Sequence, residues 1–235
     1  MRITTVARGA IGTLCFLPLV CGAGPAAIGT EVTGGFGGGQ HRQTIGCATT
    51  SYYDSAEVGA HLGVRHRLEG GLVAAAEASA TASRTRSANF SPAPELGRTS
   101  WIGDVAARAG YHSQYVGFEL GPALAFDESG ASPFASGQVY LGKAEVLFGY
   151  ASLLEGPLSH AVTPLELGLG HSSERLRVTL GVSPPAPQNE AASNPGVRLA
   201  LGTTPTENLW LGVNVSATDE HDWNAMGTVA FVIAP

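Results

Sequence analysis

The sequence predicts an all-β chain, an antiparallel up-and-down transmembrane β-barrel of about twelve strands (roughly ten to fourteen) that follows a cleaved signal segment. Three observations predict it. Apolar residues alternate with small or polar ones at period two in segment after segment. The links between these segments alternate between short and long. Charge is also too scarce to coat a water-facing exterior.

The charge deficit is the simplest of the three. Only 14% of the 235 residues are charged, where a soluble domain carries roughly 25%. Lys143 is the sole lysine, and glycine is abundant at 32 residues. Soluble proteins keep their outer surface wet with Lys, Glu and Arg. The net charge of −6 sets nucleic acid aside as a partner, because its binders need a basic face.

Residues 1–23 read as an export signal. Arg2 and Arg8 precede the apolar run Ile11–Val20, and small residues follow with cleavage after Ala23 or Ala26. Pro18 and the glycines leave the run short of the ~20 residues of a spanning helix. Residues 24–235 then form the barrel. Cys15 and Cys21 leave with the signal, and a lone Cys47 builds neither an internal disulfide nor a cysteine metal cluster.

Strand by strand, the alternation is plainest at Arg175–Ser183. There Leu176, Val178, Leu180 and Val182 oppose Arg175, Arg177, Thr179 and Gly181. The same split places Val58, Ala60, Leu62 and Val64 against Glu57, His61 and Arg65. It sets Val116, Phe118, Leu120 and Leu124 against Glu119, and Leu165, Leu167 and Leu169 against Glu166. Leu209, Leu211, Val213 and Val215 oppose Asn214 and Ser216, and the last segment alternates Ala225, Gly227, Val229, Phe231 and Ile233. A secreted β-sandwich would alternate in the same way with its apolar face inward. Its outside would then be Gly, Ala, Ser and Thr with few charges, a face that suits a narrow barrel's interior better.

Short links are expected near Arg67–Leu68, His112–Gln114, Gly142–Lys143, Ser172–Ser173 and Thr203–Thr206. Long ones are expected at Gln40–Ala56, Ser83–Ser100, Glu128–Pro133, Leu154–Val162, Pro184–Pro195 and Asp219–Trp223. Trp101 and Tyr111 share one apolar face ten positions apart. At ~3.3 Å per residue and ~40° tilt they stand roughly 25 Å apart, the spacing of two aromatic girdles.

In its alternating links and its amphipathic last strand the chain resembles small bacterial outer-membrane β-barrel (porin-like) proteins, although it ends on Ala234–Pro235 rather than on an aromatic residue. The resemblance implies an outer-membrane location and a passive channel, with outer-membrane lipid, lipopolysaccharide and small solutes as partners. A plugged barrel that acts through its outer loops is the alternative. Strand parity sends Asp104, Arg108, Glu119, Glu145, Glu166, Arg175, Arg177 and Arg198 into the lumen. Two pairings follow from depth: Arg108 with Glu119 on adjacent strands, and Arg198 with Glu166 two strands apart.

No catalytic residue, cofactor or metal is expected, and the chain is not read as an enzyme. None of the seven histidines lies in an H-E-x-x-H pair, and no G-x-S-x-G elbow occurs. The run Asp219–Glu220–His221–Asp222 reads as a solvated turn, with a weak divalent-cation site as its alternative. The glycines from Gly34 to Gly39 lack the Lys-Ser/Thr of a phosphate loop and read as a strand needing curvature or close approach. Arg84, Arg86 and Arg98 lie where they could meet anionic lipopolysaccharide.

Overall fold

The computed structural model describes residues 29–44, 52–88, 96–143, 146–155, 165–173, 175–184, 195–206, 208–219 and 222–233. They form twelve strands: β1 (Gly29–Thr44), β2 (Tyr52–Arg67), β3 (Leu72–Ala88), β4 (Thr99–His112), β5 (Val116–Asp127) and β6 (Gly130–Lys143), then β7 (Leu147–Glu155), β8 (Leu165–Ser172), β9 (Leu176–Ser183), β10 (Gly196–Thr206), β11 (Leu209–Asp219) and β12 (Asp222–Ile233). Each strand pairs antiparallel with its sequence neighbour. β1 pairs with β12, from Thr30↔Ile233 to Gln40↔Trp223, so the barrel is closed. Closure leaves no sheet edge unpaired, which is what a hydrocarbon solvent requires of β-structure. The expected signal segment, Cys47, Glu145, Glu220 and His221 lie outside the described residues.

Side-chain alternation decides which face is which. In β9, Leu176, Leu180 and Val182 are exposed on the outside, while Arg177 and Thr179 are buried inside. The other strands follow suit, so the apolar residues are the exposed ones and many charged residues are buried, the inverse of a soluble fold. Among the described strand side chains, the outward charges Asp54, Arg84, Arg86 and Lys143 stand near strand ends. The exterior between them is Leu, Val, Phe, Ala and Gly, as a lipid-facing band requires.

Strand lengths are uneven. β1, β2 and β3 have 16, 16 and 17 residues, whereas β8 and β9 have 8 each. At ~3.3 Å per residue and ~40° tilt the former rise about 40 Å and the latter about 20 Å. One flank therefore stands well clear of a ~25 Å apolar band, and the described strands of the other fall about 5 Å short of it.

Two expected long links are in fact tight. β5 ends at Asp127 and β6 begins at Gly130, and β11 and β12 are in register to Asp219↔Asp222. At the first, the Asp127 carboxylate accepts from the Ser129 N–H (2.7 Å) and hydroxyl (2.5 Å), and Gly130 takes φ 138°. This side-chain turn reverses the chain in two residues. Pro133, placed in the expected link, lies on β6. It pairs with Leu124, above the level at which the described β6–β7 ladder starts, at Ala135↔Glu155. A proline there removes no hydrogen bond of the described β6–β7 ladder.

The glycine run of β1 serves the closing seam. A Cβ on Gly37 would lie 2.2 Å from the Ala225 carbonyl oxygen, and one on Gly39 would lie 2.1 Å from that of Trp223. Only residues without a side chain let β1 sit so close to β12.

Candidate functional site: the barrel interior

The interior has two unlike walls. On the β2–β6 wall, Glu119 of β5 is only 1% exposed and collects three partners. Arg65 of β2 donates from Nε and Nη2 to its two oxygens at 3.0 and 3.2 Å. Arg108 of β4 approaches Oε2 at 3.5 Å, and His112 Nε2 lies 3.0 Å from Oε1. Arg108 also bridges to Glu77 of β3 and donates to Ser136 Oγ at 3.0 Å. Two carboxylates and two guanidiniums thus compensate one another, which buried charges must do. Higher on this wall, the Ser79 hydroxyl donates to Asp104.

A second network spans β7 to β10. Glu166 of β8 accepts from Arg198 of β10 at 2.6 Å and from the Tyr150 hydroxyl of β7 at 2.7 Å. Gly181 of β9, in register with Arg198, lies between them. A Cβ there would come 2.4 Å from Glu166 Oε1, so the missing side chain opens the path across β9. Rings join the two networks. His112 meets Tyr140 edge-on at 5.2 Å, Tyr140 meets Phe148 at 6.4 Å, and Phe148 meets Tyr150 at 6.4 Å. Arg177 stacks over Phe148 at 5.0 Å, a cation–π contact in a dry site.

The third stretch of wall, β11–β12–β1, carries little charge. Its inward residues include Gly212, Asn214, Thr228, Thr33, Gly35, Gly37 and Gly39, and all are partly exposed. Thr228 lies between two glycines, in register with Gly35 and Gly212. Met226, in register with Gly37 and Asn214, is buried, as are Trp210, Ala230 and Glu31 towards the short-link end.

Of the residues that sequence parity sends inward, Arg108, Glu119, Glu166, Arg177 and Arg198 are buried on the interior face, and Asp104 is half-buried there. Both depth-derived pairings form. Arg175 is placed differently: it precedes β9, is exposed, and accepts the Thr204 N–H on its carbonyl at 3.1 Å. Trp101 and Tyr111 face outward, 47% and 39% exposed. Sequence reasoning missed Glu77 and His112, although period two predicts the inward face of both β3 and β4. It sorted Arg65 to the polar face and stopped there, since partners three strands away are not adjacent in any hairpin. Among the described residues, no group of acidic, His or Cys side chains has the geometry of a metal site.

No protein-family profile matches the sequence, and neither does any curated protein. Solved structures do match the fold. The KdgM porin superposes with a TM-score of 0.51 at 10% identity, over 86% of this chain and 98% of that one. The KdgM porin in complex with disordered oligogalacturonate gives 0.52 at 11%, over 85% and 98%. An outer membrane channel from Pseudomonas putida F1 gives 0.56 at 10%, over 89% and 97%. At such identity the likeness is one of architecture, and the chain has the fold of outer-membrane β-barrel channels.

Proposed function

We propose that this chain is an outer-membrane channel of narrow bore, whose solute path runs along the β11–β12–β1 wall. One observation carries the reading: the interior surface around Thr33, Gly39 and Thr228 is small, neutral and partly exposed, while Arg65, Arg108 and Glu119 on the wall opposite are buried. A charge layer of this kind fixes the bore and sets the field across it. Arginines and carboxylates interleave along it, with Arg65 on Glu119 and Arg198 on Glu166, so the described residues form no unbroken basic track for a polyanion. KdgM's complex holds oligogalacturonate; small neutral or zwitterionic solutes suit this interior better. The same pairing engages the interior acids and bases with one another, which supports passive conduction rather than catalysis. Trp101 and Tyr111, outward and ten positions apart, support an outer-membrane placement as interface anchors.

The test is single-channel conductance of the full chain in planar bilayers, against Thr228→Trp. The indole would project from a site flanked by glycines, so the barrel should form and conductance should fall several-fold. Unchanged conductance would remove the path from this wall. A wild-type barrel that never conducts would favour a second reading, a plugged barrel acting through its outer surface. The dry packing of Glu119, Tyr140, Phe148, Arg177 and Trp210 in the short-link half supports that alternative.

A further inference from the structure

On the outer surface an apolar groove of about 660 Å³ crosses β2 to β5, lined mainly by Leu62, Val64, Ala76, Val105, Pro122 and Leu124. Two features of the chain produce it. The outward residues of β3 from Ala74 to Ala82 are all alanine, so the surface sinks between the leucine and valine ridges of β2 and β5. Beneath the groove the β4–β5 ladder is interrupted. It runs from Ile102↔Asp127 to Ala106↔Ala123 and resumes at Ala109↔Leu120, with Pro122, which has no N–H, in the gap.

Basic residues stand above this groove, on the long-loop side. Arg84 and Arg86 end β3 on its exposed face, and Arg98 precedes β4. A β-bulge between Asp54↔Ser87 and Ser55↔Thr85 falls at Arg86 and re-aims it. Arg84 packs against Gly97, where a Cβ would lie 3.4 Å from Nη2. Among the described residues, Arg98 pairs with Glu128 at 3.0 Å, and no ion pair engages Arg84 or Arg86.

Depth ties the two features together. Arg84 is in register with Thr99, two positions above the exposed Trp101, so the guanidiniums sit just beyond the aromatic level. Ala76 lies eight positions below Arg84, roughly 20 Å down the membrane normal at ~40° tilt. A lipid headgroup held at Arg84 would send its chain down a leaflet about 15 Å deep, into the groove.

We propose that this face binds one phosphate-bearing, acylated lipid of the outer leaflet, of the lipid A type. Arg84 and Arg86 take a phosphate and the groove takes an acyl chain. Arginine suits the task because its planar donors match phosphate oxygens two at a time. The proposal rests on the membrane-spanning reading and not on conduction, because the site lies outside the barrel wall.

The test is native mass spectrometry of the full chain, purified in detergent and titrated with bisphosphorylated lipid A or with phosphatidylethanolamine. The wild type should retain one lipid A and little phosphatidylethanolamine. Arg84→Gln with Arg86→Gln should weaken retention roughly tenfold, the loss of charge-assisted phosphate bonds. Ala107→Phe, filling the groove, should weaken it too, whereas Val213→Phe on the opposite outer face should not. All variants should still shift in mobility on boiling and keep wild-type conductance. Equal retention of phosphatidylethanolamine would overturn the proposal, as would variants that bind like wild type. So would a dimer that Ala107→Phe disrupts without affecting lipid, since the groove would then receive a second copy of the chain.

Discussion

The β2–β6 wall and the β11–β12–β1 wall fill the same barrel by opposite means. The first crowds Arg65, Glu77, Arg108, His112 and Glu119 into a dry layer in which each charge answers another. The second uses Gly, Thr and Asn, which need few partners, beside the buried uncharged Met226 and Trp210. The difference teaches that interior polarity and interior wetness are separate properties here. The more charged wall is the drier one, because paired ions pack as a unit while small residues leave room for water.

The sharpest way to break that contrast is Glu119→Ala. It strands Arg65, which gives both of its donating nitrogens to this carboxylate, and leaves Arg108 with Glu77 and Ser136 alone. Removing one member of a buried ion network costs about 3–5 kcal/mol, because the survivors remain desolvated and unpaired. Urea unfolding of the liposome-inserted barrel, followed by the boiled-versus-unboiled mobility shift, should show a loss of that size. A loss under about 1 kcal/mol would mean that the guanidiniums reach water, and the wall is not dry.

The uncharged wall fails differently. Gly212→Ala puts a Cβ 1.8 Å from the Trp210 ring, and the same ring is seated against Gly202, where a Cβ would lie 1.9 Å from it. Overpacking against a rigid ring costs about 1–3 kcal/mol. The same unfolding assay should place this variant between the wild type and Glu119→Ala. Indole fluorescence should report the displaced ring, since Trp210 is buried while Trp101 and Trp223 are exposed.

These two sites also differ in how far the sequence revealed them. The twelve strands follow from period-two alternation, which Arg175–Ser183 displays without interruption. Arg108–Glu119 is legible because adjacent antiparallel strands fix each other's register. Arg65–Glu119 is not, since a chord from β2 to β5 depends on barrel curvature, which no hairpin encodes. Trp210 over Gly202 and Gly212 is hidden for a related reason: a ring's resting place is a rotamer choice made by its neighbours. The tight turn at Asp127–Gly130 was hidden because Glu128–Pro133 reads as one polar link, whereas Gly130 to Pro133 already belong to β6 and pair with β5.

The smallest expected effect takes the chemistry of the charged wall into water. Arg98 donates to Glu128 at 3.0 Å, the same guanidinium–carboxylate contact that Arg65 makes to Glu119, but the two side chains are 62% and 40% exposed. Water solvates each ion when the other is removed, so such a pair contributes about 0–1 kcal/mol. Arg98→Ala should therefore leave the urea midpoint within error of wild type, and raising salt should erase any residue of the effect. Should Arg98→Ala instead approach the cost of Glu119→Ala, the long-link rim would be as dry as the charged wall. The stability of the barrel would then depend on burial above the bilayer as much as on the layer within it.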